Sequence, residues 1–312
     1  MEILNTEVEP GQKAYLEMDV AALYTRTRIS VPVIIERAKD PGPTLLVMGG
    51  IHGDEVNGIE IIRRLVFHET MRPSCGTVVA LPIVNVMAFL NLSRKFADGR
   101  DLNRSFPGNK NGSLASKLAN SITTRIVPHA DYVVDLHTGS DEKFNYPQIR
   151  FDDSHEENLL LAKAFNAPFT IFTSSQRTGS MRRMLGKKGI PVIVFEGGKS
   201  RSINQRVVDK GMKGVLSVMS YLGMRPDEGP VTRRRSKMIS TTKWVRSRSS
   251  GMLQPLVRNG ARVEKGDLLA YVNGPYGQFQ KKVNSPITGY VFCVNEAPVV
   301  YKGDGLFNIG SN

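Results

Sequence analysis

The fold of this 312-residue chain is decided by the stretch Thr44–Gly58, which reads TLLVMGGIHGDEVNG. The apolar run at residues 44–48 predicts a buried strand, and the spacing of apolar residues after position 55 predicts a helix. Between them, His52 and Glu55 put an imidazole and a carboxylate three residues apart, on a turn that its glycines allow to bend sharply. Nitrogen and oxygen donors of this kind suit Zn²⁺. The pattern is short and also occurs on ordinary surface turns, so the zinc hypothesis depends on the rest of the chain.

Strands and helices alternate on both sides of this stretch. Short extended runs at residues 14–18 and 29–35 predict edge strands that lead into a sheet. The alternation predicts an α/β fold with a mixed, largely parallel sheet and helices on both faces. We expect strands at 77–81, 130–136 and 190–195, and helices near 56–69, 113–126 and 154–166.

Three of the predicted buried strands lead into a potentially reactive side chain: His52, His137 and Glu196. Ligands of open α/β sheets bind at the carboxyl ends of the strands, so these groups are expected to meet in one cleft. His52, Glu55 and His137 would then form a His₂Glu zinc site with a fourth position left to water. Glu196 would act as general base, although a carboxylate on a plain surface is the simpler alternative.

The composition changes near residue 229. We predict a hydrolase domain at residues 1–228 and an all-β domain at residues 229–312, since residues 251–312 consist of short alternating runs without a helical period. Residues 260–269 resemble residues 297–306, and two similar halves are typical of a small barrel-sandwich. The Ser/Thr/Arg-rich stretch before this region, including residues 233–235, looks like a linker.

Composition excludes several classes of protein. Cys75 and Cys293 lie far apart and match no zinc spacing, which favours a reducing compartment, and we expect the cytoplasm. No apolar run approaches the ~20 residues that span a bilayer, so no membrane association is expected. The net charge of +13 is compatible with nucleic acid, but no nucleic-acid motif accompanies it. The sequence also lacks a Gly-x-Ser-x-Gly elbow, a P-loop and a Gly-x-Gly-x-x-Gly motif, so serine-hydrolase and nucleotide chemistry are not expected.

Four ordered motifs carry a resemblance to a known family. They are HGDE at residues 52–55, DLNRSFPG at 101–108, DLHTG at 135–139 and FEGG at 195–198. In this order they resemble the succinylglutamate desuccinylase/aspartoacylase family, relatives of the zinc carboxypeptidases, over residues 30–312. The resemblance implies a carboxypeptidase-like fold with one Zn²⁺ per subunit, held by His52, Glu55 and His137, and Glu196 as base.

The same resemblance implies roles for the loop between the first two ligand motifs. Asn103 and Arg104 would hold a substrate carboxylate, and Arg94 would polarise the scissile carbonyl. Arg100 is the alternative to Arg94 and a further candidate for substrate binding, because guanidinium groups grip carboxylates and stabilise oxyanions. Asp101 would orient His52, as metal-binding histidines usually require. Arg182 and Arg183 are weaker candidates for substrate contacts.

The β domain resembles a biotinyl/lipoyl carrier fold. Its hairpin at residues 273–277 lacks the carrier lysine. We therefore expect the β domain either to form a wall of the active-site cleft or to have a purely structural role.

The leading functional hypothesis is a zinc-dependent amidohydrolase that removes the acyl group from an N-acyl amino acid, a small-molecule substrate. The first alternative is a metallocarboxypeptidase acting on short peptides, and the second is a non-catalytic binding module. The sequence leaves homo-oligomerisation open.

Overall fold

The structure is a computed structural model that describes residues 1–22, 25–174, 177–226 and 236–312. The predicted boundary at residue 228/229 and the linker residues 233–235 therefore lie outside the described residues. The helices are α1 (Val56–Phe67), α2 (Val86–Leu90), α3 (Leu114–Arg125), α4 (Glu157–Phe165), α5 (Met181–Lys187) and α6 (Gln205–Tyr221), with 3₁₀ turns at Leu102–Arg104 and Val127–His129. The predicted helices near 56–69, 113–126 and 154–166 are confirmed as α1, α3 and α4.

The strands begin and end close to the predicted positions. In the N-terminal part they are β1 (Glu2–Ile3), β2 (Thr6–Glu7), β3 (Lys13–Ala22), β4 (Arg28–Arg37), β5 (Asp40–Gly49), β6 (Cys75–Leu81), β7 (Tyr132–Gly139), β8 (Lys143–Phe151), β9 (Phe169–Phe172) and β10 (Val192–Lys199). The C-terminal part contains β11 (Lys237–Ile239), β12 (Thr241–Arg246), β13 (Gly251–Pro255), β14 (Arg262–Val263), β15 (Leu268–Asn273), β16 (Gln280–Asn284), β17 (Gly289–Asn295), β18 (Val299–Val300) and β19 (Gly305–Ser311).

The main sheet is mixed, as predicted. Its central path runs β12-β19-β17-β8-β10-β7-β5-β6-β4-β3. The pairs β6–β5, β5–β7 and β7–β10 are parallel, and β8 pairs with β10 in the antiparallel direction. Parallel pairing is thus concentrated at the centre, where β5, β7 and β10 are buried on both faces and read as continuous apolar runs.

Helices cover both faces of the sheet, and alternating residues of the central strands supply the two cores. On one face, Leu45, Val47 and Val134 pack with residues of α1, α4 and α6. On the other face, Leu46, Met48 and Val133 pack with residues of α3 and α5. His137 and Glu196 have the same strand parity as Val133 and Val192, so they point to the α3/α5 face at the carboxyl ends of their strands.

The C-terminal strands form an antiparallel β region, as predicted. A four-stranded sheet of order β16-β15-β13-β18 packs over β17 and β19 through a shared apolar core that includes Leu253, Leu269, Val291 and Phe307. β17 also pairs with β8, and β11 pairs with β9, so this region continues the main sheet. No helix in the described parts of the chain is both long and apolar enough to cross a bilayer.

Candidate metal centre and active site

Two imidazoles and one carboxylate, predicted from separate parts of the chain, meet in the structure. His52 Nδ1 lies 2.7 Å from one oxygen of the Glu55 carboxylate, and His137 Nδ1 lies 2.8 Å from the other. All three side chains are buried. One donor atom from each lies within 4.8 Å of the other two, which is close enough for one metal ion to contact all three.

Two glycines near Glu55 allow its segment to lie very close to neighbouring elements. A Cβ on Gly53 would lie 2.0 Å from the backbone of Ala88, so the turn after β5 can pass α2 only with glycine there. A Cβ on Gly58 would lie 2.8 Å from the carbonyl oxygen of Leu136, so α1 lies directly against β7. Glu55 is the residue immediately before α1, and its side chain does not cap the helix. It instead contacts β7, where the Thr138 N–H donates to its carboxylate at 3.1 Å.

A carboxylate holds the outer nitrogen of each histidine. His52 Nε2 lies 3.2 Å from Asp101 Oδ1, the contact predicted for Asp101, and His137 Nε2 lies 2.9 Å from Asp135 Oδ2. Such contacts fix the ring orientation of metal-binding histidines and increase their basicity. The sequence analysis assigned no role to Asp135, although its position two residues before His137 on one strand places both side chains on the same face.

The electrostatics of this cluster suit a cation. Burial alone would raise the pKa of Glu55, but the two histidines hold it well below its usual range. Burial would lower the pKa of His137, but Asp135 and Glu55 raise it well above its ordinary value. The carboxylates therefore stabilise positive charge at the inner nitrogens. A divalent metal ion, whose binding displaces the protons from these nitrogens, can supply that charge.

Glu196 lies beside this cluster on the neighbouring strand. Its Cα pairs with that of His137 in the β7–β10 register. One carboxylate oxygen accepts a hydrogen bond of 2.7 Å from the side-chain amide of Asn145, and the other lies 3.7 Å from a guanidinium nitrogen of Arg150. The sequence analysis did not single out Asn145 or Arg150, because their strand, β8, carries no recognisable motif.

The structure separates the two candidate arginines of the loop before Leu102. The guanidinium of Arg94 lies 3.2 Å from Glu55 and 3.1 Å from Asp101, and it lines the central cavity. Burial lowers its pKa, but Glu55 and Asp101 raise it overall, so it stays cationic. Arg100 instead pairs at 2.6 Å with Asp98, and more than half of its side chain is exposed. It is not among the residues that line the cavity.

Asn103 and Arg104 both line the cavity, and their side chains make different contacts. The Asn103 side-chain oxygen accepts a hydrogen bond of 2.9 Å from the backbone of Met181, at the start of α5. Arg104 donates to the Asn103 carbonyl. Burial lowers the pKa of Arg104, Asp101 raises it, and repulsion from Arg177 and Arg94 lowers it further. The guanidiniums thus create a positive potential that favours an anion, and Arg177 was missed by the sequence analysis.

The cavity above these residues has a volume of about 620 Å³, within the usual range for small-molecule sites. Arg182 lines it and lies 3.3 Å from Asp152, whereas Arg183 is not among the lining residues and donates to Thr178. The C-terminal strands contribute a further wall, formed by Ser240, Thr242, Trp244, Phe292, Cys293 and Asn308.

Comparisons with known sequences identify the family of the chain. The family model of the succinylglutamate desuccinylase/aspartoacylase catalytic domain matches residues 41–222. The chain is 31% identical to the N-alpha-acetyl-L-2,4-diaminobutyric acid deacetylase of Halomonas elongata, covering 78% of this chain and 74% of that protein.

Solved structures show the same fold. The product-bound ectoine utilization protein of Ruegeria pomeroyi superposes with a TM-score of 0.87 at 24% identity, over 98% of this chain and 97% of the other. A succinylglutamate desuccinylase/aspartoacylase from Rhodobacter sphaeroides gives 0.84 at 24% identity, over 96% and 95%.

Proposed function

Because the chain belongs to the succinylglutamate desuccinylase/aspartoacylase family, we propose that it is a zinc-dependent deacylase that hydrolyses the amide bond of an N-acyl amino acid. The observation that carries this proposal is the convergence of His52, Glu55 and His137 beside Glu196 in one cavity. The Halomonas elongata relative, named as a deacetylase of an N-acetylated amino acid, supports this substrate class.

His52, Glu55 and His137 would hold the zinc ion. A zinc ion bound there would lower the pKa of a water molecule to ~7 and polarise a carbonyl group. Asp101 and Asp135 keep the two imidazoles in position through hydrogen bonds to their outer nitrogens.

Glu196 is the proposed general base. Its carboxylate would take a proton from the attacking water and transfer it to the leaving amine. Asn145 occupies one of its oxygens with a hydrogen bond of 2.7 Å, which fixes the carboxylate and leaves the second oxygen to exchange the proton.

The arginines would bind and orient the substrate. Arg94, 3.2 Å from Glu55, would stabilise negative charge on the scissile carbonyl oxygen. Arg104 and its neighbour Asn103 would hold the amino-acid carboxylate, in the positive potential to which Arg177 also contributes. Arg100 is not part of this proposal, because it faces Asp98 outside the cavity. We place the reaction in a reducing compartment such as the cytoplasm, in keeping with the free thiols of Cys75 and Cys293.

Metal analysis and a substrate screen test the function. We expect one zinc per chain, and hydrolysis of one or more N-acetyl, N-succinyl or N-aspartyl amino acids in preference to dipeptides. Preference for dipeptides would favour a metallocarboxypeptidase, and absence of both metal and turnover would favour a binding module.

Glu196→Gln tests the base. We expect this variant to bind zinc normally and to lose about 10²- to 10⁴-fold in kcat, since it keeps the shape of the side chain but cannot accept a proton. Glu142→Gln, which alters an exposed carboxylate paired with Lys199, is the matched control and should keep full activity. Full turnover by Glu196→Gln would remove the general-base assignment.

A further inference from the structure

The floor of the cavity continues past Glu196 onto the C-terminal strands. A row of paired Cα positions leads from Gly198 on β10 to Asn145 on β8, Cys293 on β17, Asn308 on β19 and Trp244 on β12. The last four of these residues line the cavity. With neighbouring strands ~4.8 Å apart, the three steps beyond β8 add roughly 14 Å of floor. An N-acetyl amino acid with a short side chain, about two residues long, spans only ~7 Å.

The far end of this floor differs chemically from the near end. The near end carries charged groups, among them Arg94, Arg104 and Glu196, and β8 adds Lys143 and Arg150. Among the described residues, the wall over the C-terminal strands is uncharged: it consists of Ser240, Thr242, Trp244, Phe292, Cys293 and Asn308. A ligand group that reaches beyond the charges of β8 is therefore selected by hydrogen bonding and shape.

Asn308 is the most informative residue of this wall. It is 7% exposed, and its side-chain oxygen is buried with no hydrogen-bond partner among the residues that the structure describes. A buried carbonyl oxygen without a partner costs free energy, so such groups are normally satisfied. Asn308 lines the cavity, so a rotation of its side-chain amide toward the cavity would let a ligand with an N–H or O–H donor supply the missing hydrogen bond.

The strand order indicates which half of the substrate extends in this direction. His52 and His137 belong to β5 and β7, Glu196 belongs to the next strand, β10, and β8 follows. In the proposed mechanism, the scissile carbonyl would lie on the side of the histidines, and the amine that receives a proton from Glu196 would lie toward β8. The amino-acid half of the substrate thus continues over β8 toward Asn308.

We propose that Asn308, with Thr242 and Trp244, forms a distal subsite that selects N-acyl amino acids whose side chain is long and ends in an uncharged hydrogen-bonding group, such as a primary amide. This inference rests on the proposed deacylase function and specifies its substrate. Trp244, 38% exposed, borders the subsite at its outer end.

Four N-acetyl amino acids of similar side-chain length test the subsite: those of glutamine, norleucine, ornithine and glutamate. We expect kcat/KM for the glutamine derivative to exceed that for norleucine about tenfold, the size of one hydrogen bond to a buried amide. Asn308→Asp keeps the shape but replaces the amide by a carboxylate. It should shift the preference at least about tenfold from glutamine toward ornithine, whose ammonium it can pair with.

Asn273→Asp is the matched control. It makes the same chemical change on β15, in the C-terminal region but outside the cavity, and should leave the substrate preference unchanged. Thermal unfolding of both variants verifies that they fold. The proposal would be overturned by an Asn308→Asp variant that folds and changes kcat/KM by the same factor for all four substrates. It would also be overturned by a wild type whose kcat/KM is equal for the glutamine and norleucine derivatives.

Binding separates failure of the subsite from failure of the proposed function. Trp244 is the only tryptophan of the chain, so its fluorescence reports ligands at this end of the cavity without any need for turnover. Titration with free glutamine should change the fluorescence of the wild type, and Asn308→Asp should weaken glutamine binding about tenfold. If no N-acyl amino acid is hydrolysed but this titration behaves as expected, the deacylase function fails and the subsite stands. If hydrolysis occurs and the titration shows no Asn308 dependence, the subsite fails alone.

Discussion

At the scale of single residues, the proposed metal centre depends on two aspartates that lie outside the proposed ligand set. Asp101 and Asp135 each hold the outer nitrogen of one histidine, so the inner nitrogens face Glu55. Asp135 is almost completely buried, and its other oxygen has no hydrogen-bond partner in the described parts of the chain. A carboxylate kept in such surroundings indicates that its contact with His137 matters for function.

We expect Asp135→Asn to weaken zinc binding about 10- to 100-fold, since the amide cannot fix and polarise His137 as a carboxylate does. Competition with a chromogenic chelator measures this affinity directly. Asp153→Asn, at an exposed position two residues after β8, is the control and should bind zinc like the wild type. Unchanged zinc affinity in Asp135→Asn would show that the hydrogen bond to His137 does not support the site.

At the scale of secondary-structure elements, α1 must keep its first turn in place because Glu55 immediately precedes it. Glu60 on this helix lies 2.6 Å from both Arg63 and Arg64, three and four residues along the chain. These two arginines, through hydrogen bonds first and charge second, lower the pKa of Glu60 to about 2. Arg63 is more than half exposed, so water screens part of this interaction.

Glu60→Gln should lower the free energy of unfolding by up to about 1 kcal/mol at pH 7. Because the pKa of Glu60 is lower in the folded protein than in the unfolded chain, its contribution is complete above pH ~5 and declines as the pH falls toward about 2. Urea unfolding at pH 7, 5 and 3.5 should therefore show a difference between wild type and variant that shrinks at the lowest pH. Glu17→Gln, on an exposed part of β3, serves as control, and a difference independent of pH would contradict the ion-pair explanation.

The resemblance between residues 260–269 and 297–306 of the C-terminal region is also visible at this scale. In the first copy, Asp267 Oδ2 accepts a hydrogen bond of 2.8 Å from the backbone of Glu264. In the second, Asp304 Oδ2 accepts an equivalent bond of 2.8 Å from the backbone of Tyr301. The repeated Lys-Gly-Asp thus closes the same turn twice, so the sequence resemblance corresponds to a repeated structural turn.

At the scale of the whole molecule, the C-terminal strands are joined to the hydrolase part through the sheet. β17 pairs with β8 at Cys293–Asn145, and β11 pairs with β9. Phe169 and Ile171 of β9 share a small apolar cluster with Ile239, Phe292 and Cys293. This arrangement joins strands of both predicted domains in one sheet, in which β8, the strand that holds Asn145, lies between β10 and β17.

We expect the protein to unfold in a single calorimetric transition, because separating the two parts would expose the edges of β8 and β9 together with this cluster. Phe292→Ala, which removes a buried ring at the junction, should lower the midpoint of the whole transition, at a cost of about 3–5 kcal/mol. Tyr276→Ala, at an exposed ring of the same region, should leave the midpoint unchanged. Two separate transitions, only one of them sensitive to Phe292→Ala, would instead support independent domains.

The sequence by itself determined the features that depend on local pattern. Apolar runs and helical periods follow from each segment's own side chains, so β5, β7, β10, α1, α3 and α4 could be predicted within a few residues. The three ligand residues and Glu196 could be proposed because each follows or ends an apolar strand, and parallel strands bring their carboxyl ends to one edge.

Only the tertiary structure decided which side chains share the cavity. Arg94 and Arg100 lie in one loop, and the path of the backbone turns Arg94 toward Glu55 and Arg100 toward Asp98. Asn145 and Asn308 carry no motif, and their places follow from the pairing of β8 with β10 and β17, and of β19 with β17. The two pairings of β8 join Asn145 to residues more than 50 and more than 100 positions away, and they are set by the packing of the whole sheet, which no local pattern in the chain encodes.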